Sequence, residues 1–351
     1  MLSEAQHRAV ERLIRESGEQ PVSNAVPLPG GGNNRVYRIE TDGGPRLVKA
    51  YYHHPRDGRD RLASEYAFTT FAWEMGIDRV PRPYGADPDS HVGLYEFVSG
   101  RRPGPDEPDA GSVRQALAFY HALNRHRGHV LAQALPLGAE ACFTLAAHLQ
   151  TVDRRLDRLS RIESETPVHR DCRAFVSADL QPAWRRIRRE VEERAGRLDL
   201  ALDDALPPAE RRVSPSDFGF HNALVESGGR LRFIDFEYAG WDDPAKTVCD
   251  FFCQPAAPAP RGTYAEMADA LAAETGEPER HRRRFDLLLP VYRLKWICIM
   301  LNEFLVAGAE RRRYAAQGPD DERAARQLGK ARAALAELAE GRADEAWSLC
   351  P

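Results

Sequence analysis

An aspartate five residues before an asparagine, with a second aspartate thirteen residues further on, is the pattern in this 351-residue sequence best suited to chemistry. The residues are Asp217 and Asn222, in Ser214-Pro-Ser-Asp-Phe-Gly-Phe-His-Asn222, and Asp235, in Phe233-Ile-Asp-Phe-Glu237. Phosphoryl transfer needs such a set. One carboxylate aligns an attacking hydroxyl, and an amide oxygen with a second carboxylate offers the hard ligands that magnesium takes beside nucleotide phosphates. The intervening stretch reads as a hairpin: a short strand over Ala223 to Val225, a turn through Glu226-Ser-Gly-Gly-Arg230, and a returning strand from Leu231 to Asp235. A hairpin brings Asn222 and Asp235 to one end, as a shared metal requires.

Elements that could position phosphates lie upstream. Gly30, Gly31, Gly32 and Asn33 form a glycine-rich turn that opens into the strand Arg35 to Ile39. Glycines let a backbone approach phosphate oxygens and aim N–H groups at them, although a flexible turn would use the same residues. The next strand, Arg46 to Tyr52, puts Leu47, Lys49 and Tyr51 on one face. A lysine between apolar neighbours calls for an anion, because an unpaired buried charge is costly. Glu65, in the helical segment Arg61 to Met75, is its expected partner. Glu74 is the rival, nearer the helix end and Gly76, where solvent exposure is expected.

In combination these motifs resemble the aminoglycoside phosphotransferase and choline kinase superfamily, small-molecule kinases with a protein-kinase-like fold. The resemblance runs from about Val26 to Phe304. It implies an α+β, bilobal fold with a small β-rich N-terminal lobe and a larger, mainly helical C-terminal lobe. It also implies ATP or GTP as phosphate donor and Mg2+ as metal. By resemblance, the loop Gly30 to Asn33 covers the phosphates, Lys49 contacts them, Asp217 is the catalytic base, and Asn222 and Asp235 bind the metal. Leu94-Tyr-Glu-Phe-Val-Ser-Gly100 looks like the hinge, where the Glu96 carbonyl and the Val98 amide would meet the base of the nucleotide. Asp250 matches an aspartate that braces the catalytic loop through backbone hydrogen bonds. The implied division is a nucleotide-binding lobe over 1–95, a hinge over 96–104, and a lobe over 105–351 with the catalytic loop and acceptor pocket.

The chain departs from the family pattern at two places. Pro215 stands where a histidine usually supports the catalytic backbone, and Phe236-Glu237 follows the metal aspartate where protein kinases have Phe-Gly. A literal His169-Arg-Asp171 is a false lead. Val176 stands five residues on and cannot bind magnesium, and no hairpin with a second metal aspartate follows, so a surface turn or helix cap is expected there.

Composition sets outer bounds. A net charge of -4, from 49 basic and 53 acidic residues, argues against a nucleic-acid binder. The cluster Arg185 to Arg189 is followed at once by acidic residues and reads as a solvated helix face. Of six cysteines only Cys249 and Cys253 are close, with no second pair to complete a zinc site, so reduced thiols in a cytoplasmic protein are expected. His121, His126 and His129 fall in one stretch without carboxylate or cysteine company and read as a surface face. Ser3 to Ile14 carries a capping-box helix pattern too charged for a signal peptide, and no apolar run is long enough to span a membrane. Helices are expected over 112–134, 140–164, 178–201, 283–306 and 327–340, with Pro/Gly-rich breaks at 101–111 and 255–260.

The acceptor is the open end of this reading. Only fifteen residues separate Asp235 from Asp250, too few for a peptide-docking segment, so a small hydroxylated molecule is favoured: an aminoglycoside-like or sugar acceptor, with an amino alcohol as alternative. Glu237, Asp242, Asp243 and Glu303 could form an acidic cluster for a cationic acceptor, or be surface charges. A nucleotidyl transferase and a non-catalytic nucleotide binder on the same fold are the competing readings. The sequence leaves the oligomeric state open.

Overall fold

Alternating burial along two neighbouring segments builds the sheet that carries Lys49. In the computed structural model, which describes residues 2–29, 34–54, 58–163, 166–305, 314 and 321–340, β1 (Val26–Leu28), β2 (Arg35–Thr41), β3 (Gly44–Ala50), β4 (Pro83–Asp87) and β5 (Val92–Glu96) form one antiparallel sheet in the order β1-β2-β3-β5-β4. Tyr37, Ile39 and Val48 point to the buried face. There they meet Val10, Leu13 and Ile14 of α1 (Glu4–Glu16), whose start is fixed by a reciprocal Ser3–Gln6 capping box. The helix α2 (Arg61–Glu74) begins at an Asp60 cap and packs on β4 and β5; it is buried on several sides, so it shows little amphipathic contrast.

The chain divides into two compact units. One comprises Met1–Ala139, Val213–Trp241 and Ala309–Gly318, and the other Glu140–Arg212, Asp242–Gly308 and Pro319–Pro351. The first unit also contains α3 (Ala110–Arg125), the short α4 (Val130–Gln133) and a hairpin of β7 (Ala223–Val225) and β8 (Leu231–Phe233); the three-residue strands Arg212–Ser214 and Gly240–Asp242 are β6 and β9. Phe119 of α3 stacks on Phe233 of β8 at 4.8 Å between ring centroids, which seats the hairpin on the helix. The returning strand stops at Phe233, two residues short of the sequence expectation, because Asp235 takes a left-handed φ of 68° that no strand continues.

The second unit is helical. In it α5 (Leu145–Leu159), α7 (Gln181–Arg197), α8 (Pro244–Cys253), α9 (Tyr264–Ala273) and α11 (Asp321–Glu340) pack on α10 (Pro278–Met300), whose buried apolar side chains run from Phe285 to Met300. Several boundaries differ from the sequence reading. Expected at 178, a helix instead starts with α6 (Pro167–Phe175) and runs into α7 through a π turn, Val176–Leu180. Pro182 lacks an N–H and would crowd the carbonyl four residues back; the wider turn relieves that conflict. His169-Arg-Asp171 therefore lies inside α6, with Asp171 exposed, and is neither a turn nor a cap. His121 sits within α3, while His126 caps its end and His129 starts α4. The last two helices begin earlier than expected, at Pro278 and Asp321. No described helix is long and apolar enough to cross a membrane.

Candidate active site

Lys49 is the centre of the charged site. On β3 it lies opposite Val36 of β2 and Gly93 of β5. Its Nζ donates to Glu65 Oε2 at 2.7 Å and also pairs with Asp235. Burial alone would lower the affinity of Nζ for its proton, but the charges of Asp235, Glu65 and Glu237 outweigh it, so the ammonium is held above the ordinary lysine range. Burial raises the Glu65 carboxyl, and the Lys49 charge opposes that rise. Glu74 is exposed at the end of α2.

The backbone leading to Asp217 is held by a residue the sequence reading missed. Asn124, buried on α3, accepts from the Val213 N–H at 2.9 Å and donates to the Val213 carbonyl at 3.0 Å. Ser214 Oγ accepts from the Ser216 N–H at 3.0 Å. These bonds brace the backbone on both sides of Pro215. Ser216 takes a φ of 63°, a turn that directs the chain into Asp217.

Asp217 is gripped through both carboxylate oxygens. Asn222 Nδ2 donates to its backbone carbonyl at 2.9 Å and to Oδ2 at 3.2 Å, and His221 Nε2 lies 3.2 Å from Oδ1. Because the Asn222 nitrogen is turned to Asp217, its amide oxygen is the atom offered as a ligand. The Ile234 N–H donates to the Asn222 carbonyl at 2.9 Å, extending the β7–β8 pairing so that Asn222 and Asp235 end at the same edge of the hairpin. The left-handed turn at Asp235 leaves its side chain 38 % exposed, whereas Phe236 is buried against Phe68 at 4.6 Å. An amide oxygen with an exposed carboxylate is an oxygen-only donor set of the kind magnesium accepts with waters and phosphates.

A pocket of about 310 Å³ adjoins this group, lined by apolar Leu28, Val36, Leu47, Val98, Leu224 and Ile234 and by Lys49, Glu96 and Asp235. The Glu96 carboxylate is turned to Arg232 at 2.6 Å and to the Arg82 N–H at 3.1 Å. Gly30, Gly31, Gly32 and Asn33 lie outside the described residues. Asn34, which follows them, donates to Glu237 Oε2 at 2.7 Å.

The four carboxylates considered for a cationic acceptor are engaged otherwise. Glu237 takes Asn34 and Arg61, Asp242 takes Lys246 at 2.5 Å, Asp243 takes Arg284 at 2.5 Å, and Glu303 takes Arg323 at 2.6 Å. Asp250 accepts from the side chains of Lys295 at 2.9 Å and Trp296 at 2.8 Å, which differs from the backbone-bracing role that the resemblance implied. No disulfide links the described cysteines, which are free.

A model of the phosphotransferase enzyme family matches residues 24–288. The chain belongs to this family. Among solved structures, the phosphotransferase is similar to the choline kinase LicA from Streptococcus pneumoniae, at 15% identity and a TM-score of 0.55, covering 95% of this chain and 100% of that one. It is also similar to a choline/ethanolamine kinase family protein from Mesorhizobium loti, at 20% identity and TM-score 0.51 over 91% and 94% of the two chains. A spectinomycin phosphotransferase in complex with ADP and spectinomycin matches at 10% identity and TM-score 0.51 over 93% and 98%. At these identities the likeness is one of fold, and it agrees with the α+β class expected from the sequence. No curated protein matches the sequence.

Proposed function

We propose that this phosphotransferase is a magnesium-dependent kinase that moves the γ-phosphate of ATP, or of GTP, to a hydroxyl of a small molecule. The supporting observation is the placement of Lys49 Nζ between Glu65 and Asp235, with Asn222 of the same hairpin holding Asp217. In this reading Asn222 Oδ1 and Asp235 hold magnesium, which neutralises phosphate charge. Lys49 and the loop Gly30 to Asn33 position the phosphates, and the Glu96 carbonyl and Val98 amide face the base. The Asp217 carboxylate hydrogen-bonds the acceptor hydroxyl, aligns it with the γ-phosphorus, and takes its proton late, as the O–P bond to the acceptor forms and the bond to the leaving nucleoside diphosphate breaks.

Functionally, residues 1–95 bind nucleotide, 96–104 form the hinge, and 105–351 carry the catalytic loop and acceptor pocket, a division that cuts across the two compact units. An aminoglycoside-like or sugar acceptor is the first reading and an amino alcohol the alternative. The pairing of Glu237, Asp242, Asp243 and Glu303 with donors of this chain counts against a cationic acceptor of either kind, and so, within the first class, for a sugar of low charge. The test is incubation with MgATP or MgGTP and a panel of aminoglycosides, sugars, amino sugars, choline and ethanolamine, read by mass spectrometry. A gain of one phosphate on a sugar-type acceptor supports the proposal. Transfer only to choline or ethanolamine overturns the acceptor class; a gain of AMP, or nucleotide binding without turnover, overturns the reaction.

A further inference from the structure

Two tyrosine hydroxyls stand behind the Lys49–Glu65 pair. Tyr51 Oη is 2.8 Å from Glu65 Oε2 and 2.9 Å from Tyr95 Oη, and both rings are buried. Burial, and then the Glu65 charge, push both phenols far above their ordinary range, so both remain proton donors. The direction of the chain follows from counting protons. An ionised carboxylate only accepts, and each phenol has one proton to give. Tyr51 therefore donates to Glu65, and its oxygen accepts from Tyr95.

Room for this arrangement is built into the sheet. Gly93 lies opposite Lys49, and a Cβ there would fall 2.8 Å from Tyr95 Oη. Tyr51 directly follows the end of β3, two residues after Lys49, and both address the same carboxylate oxygen of α2, Oε2. A glutamate held by lysine alone could rotate and carry the ammonium with it. A second donor, two residues further along the chain, fixes the oxygen, and Tyr95, which also lines the pocket, fixes that donor.

We propose that Tyr51, backed by Tyr95, is a positioning residue for phosphoryl transfer: it holds Glu65 Oε2 where Lys49 Nζ is presented to the nucleotide phosphates. The inference rests on the kinase reading above. It makes Tyr51 act only through Glu65, and that is the property to test.

The measurement is phosphate release from MgATP by the full chain, which needs no known acceptor, in a cycle of Tyr51→Phe, Glu65→Ala and the double variant. Tyr51→Phe should lower kcat about tenfold with KM for MgATP changed less than about twofold, because the misplaced lysine acts on the transition state. In the Glu65→Ala background the same substitution should change kcat by less than about twofold. Tyr95→Phe leaves the Tyr51 donor in place and should cost less than Tyr51→Phe. If Tyr51→Phe folds poorly, because it strands the Tyr95 hydroxyl, the Tyr51→Phe/Tyr95→Phe variant removes both groups and should show the same kcat loss. Losses that multiply across the cycle, or unchanged kcat in Tyr51→Phe, overturn the proposal. A wild-type chain that neither releases phosphate to water nor transfers it to any member of the acceptor panel overturns the kinase reading and this inference with it.

Discussion

Asn222 Nδ2 lies 2.9 Å from the backbone carbonyl oxygen of Asp217 and 3.2 Å from its carboxylate. One amide thus fixes the aspartate with its nitrogen and offers its oxygen to a cation, which ties the alignment of the acceptor hydroxyl to the site proposed for magnesium. Asp235, the other residue proposed to hold the ion, is presented by a backbone turn rather than by a strand.

Removing that ligand tests the metal assignment. Asp235→Ala should abolish turnover and remove the magnesium dependence of nucleotide affinity, since Asn222 alone supplies one oxygen where the ion needs several. Calorimetric titration with nucleotide, with and without magnesium, checks it. Retained magnesium-dependent turnover would place the metal elsewhere.

The lysine pair predicts a graded response. Lys49→Ala should reduce kcat by roughly 10²-fold, in the range seen when one preorganised donor to a developing charge is lost. Glu65→Ala should cause a smaller loss of the same kind, on the order of tenfold. Glu74→Ala, at an exposed position, should behave as wild type. Steady-state kinetics of the three variants decide, and a Glu74 defect equal to that of Glu65 would contradict the assignment.

How far the sequence reading reached depended on the range of the signal. Lys49 and Glu65 could be paired because strand and helix are adjacent in the chain and each residue type demanded a partner; they meet at 2.7 Å. The hairpin was readable from its turn residues, yet the left-handed φ at Asp235 was not, because aspartate carries no marker for it. Asn124 left no signal at all: its two bonds to Val213 span 89 residues, and an asparagine in an amphipathic helix looks like surface. The strand ends at Ala50 rather than Tyr52, yet Lys49 and Tyr51 both reach Glu65 as residues of one face would; the period of a strand names a face and not a partner. The helix starts at Pro167 and Pro278 fall earlier than expected because a proline at the first helical position opens a helix without any apolar periodicity to announce it, and the π turn before Pro182 carries no sequence signal.

Ser216 predicts a stabilising substitution. A left-handed φ of 63° strains a side-chain-bearing residue by roughly 1–2 kcal/mol, and its buried hydroxyl has no hydrogen-bond partner. Ser216→Gly removes both penalties against roughly 0.5–1 kcal/mol of added chain entropy in the unfolded state. A net gain of about 1 kcal/mol is expected in denaturant unfolding, whereas Ser216→Val, β-branched at a left-handed position, should lose stability. Equal midpoints for the two variants would contradict the strain argument.

His148 predicts a pH dependence of stability. It is fully buried; Tyr292 Oη lies 2.7 Å from Nδ1 and Asp243 Oδ2 lies 3.3 Å from Nε2. A neutral imidazole satisfies both contacts, accepting from the tyrosine and donating to the aspartate. Burial lowers its pKa, with Asp243 opposing, and burial likewise lowers His281. Folded values below the unfolded value of about 6.5 mean that the unfolded chain binds more protons at acid pH. The contribution is present above about pH 6.5 and is lost as pH falls toward the folded values. Denaturant midpoints should therefore drop between about pH 7 and pH 5, and His148→Gln/His281→Gln should flatten that slope. An unchanged slope in the double variant would show that other groups carry it.

The most direct measurement is the turnover and nucleotide affinity of Asp217→Asn, taken side by side with wild type on one acceptor identified by the screen. Asparagine keeps the shape and the hydrogen-bonding reach but removes the base and its charge. The account predicts a fall in kcat of about 10²–10⁴-fold, the usual worth of general-base catalysis, with MgATP affinity within a few-fold of wild type because Lys49, Asn222 and Asp235 still hold the nucleotide. Unchanged turnover would contradict it, leaving Asp217 a structural residue and the hydroxyl aligned by another group.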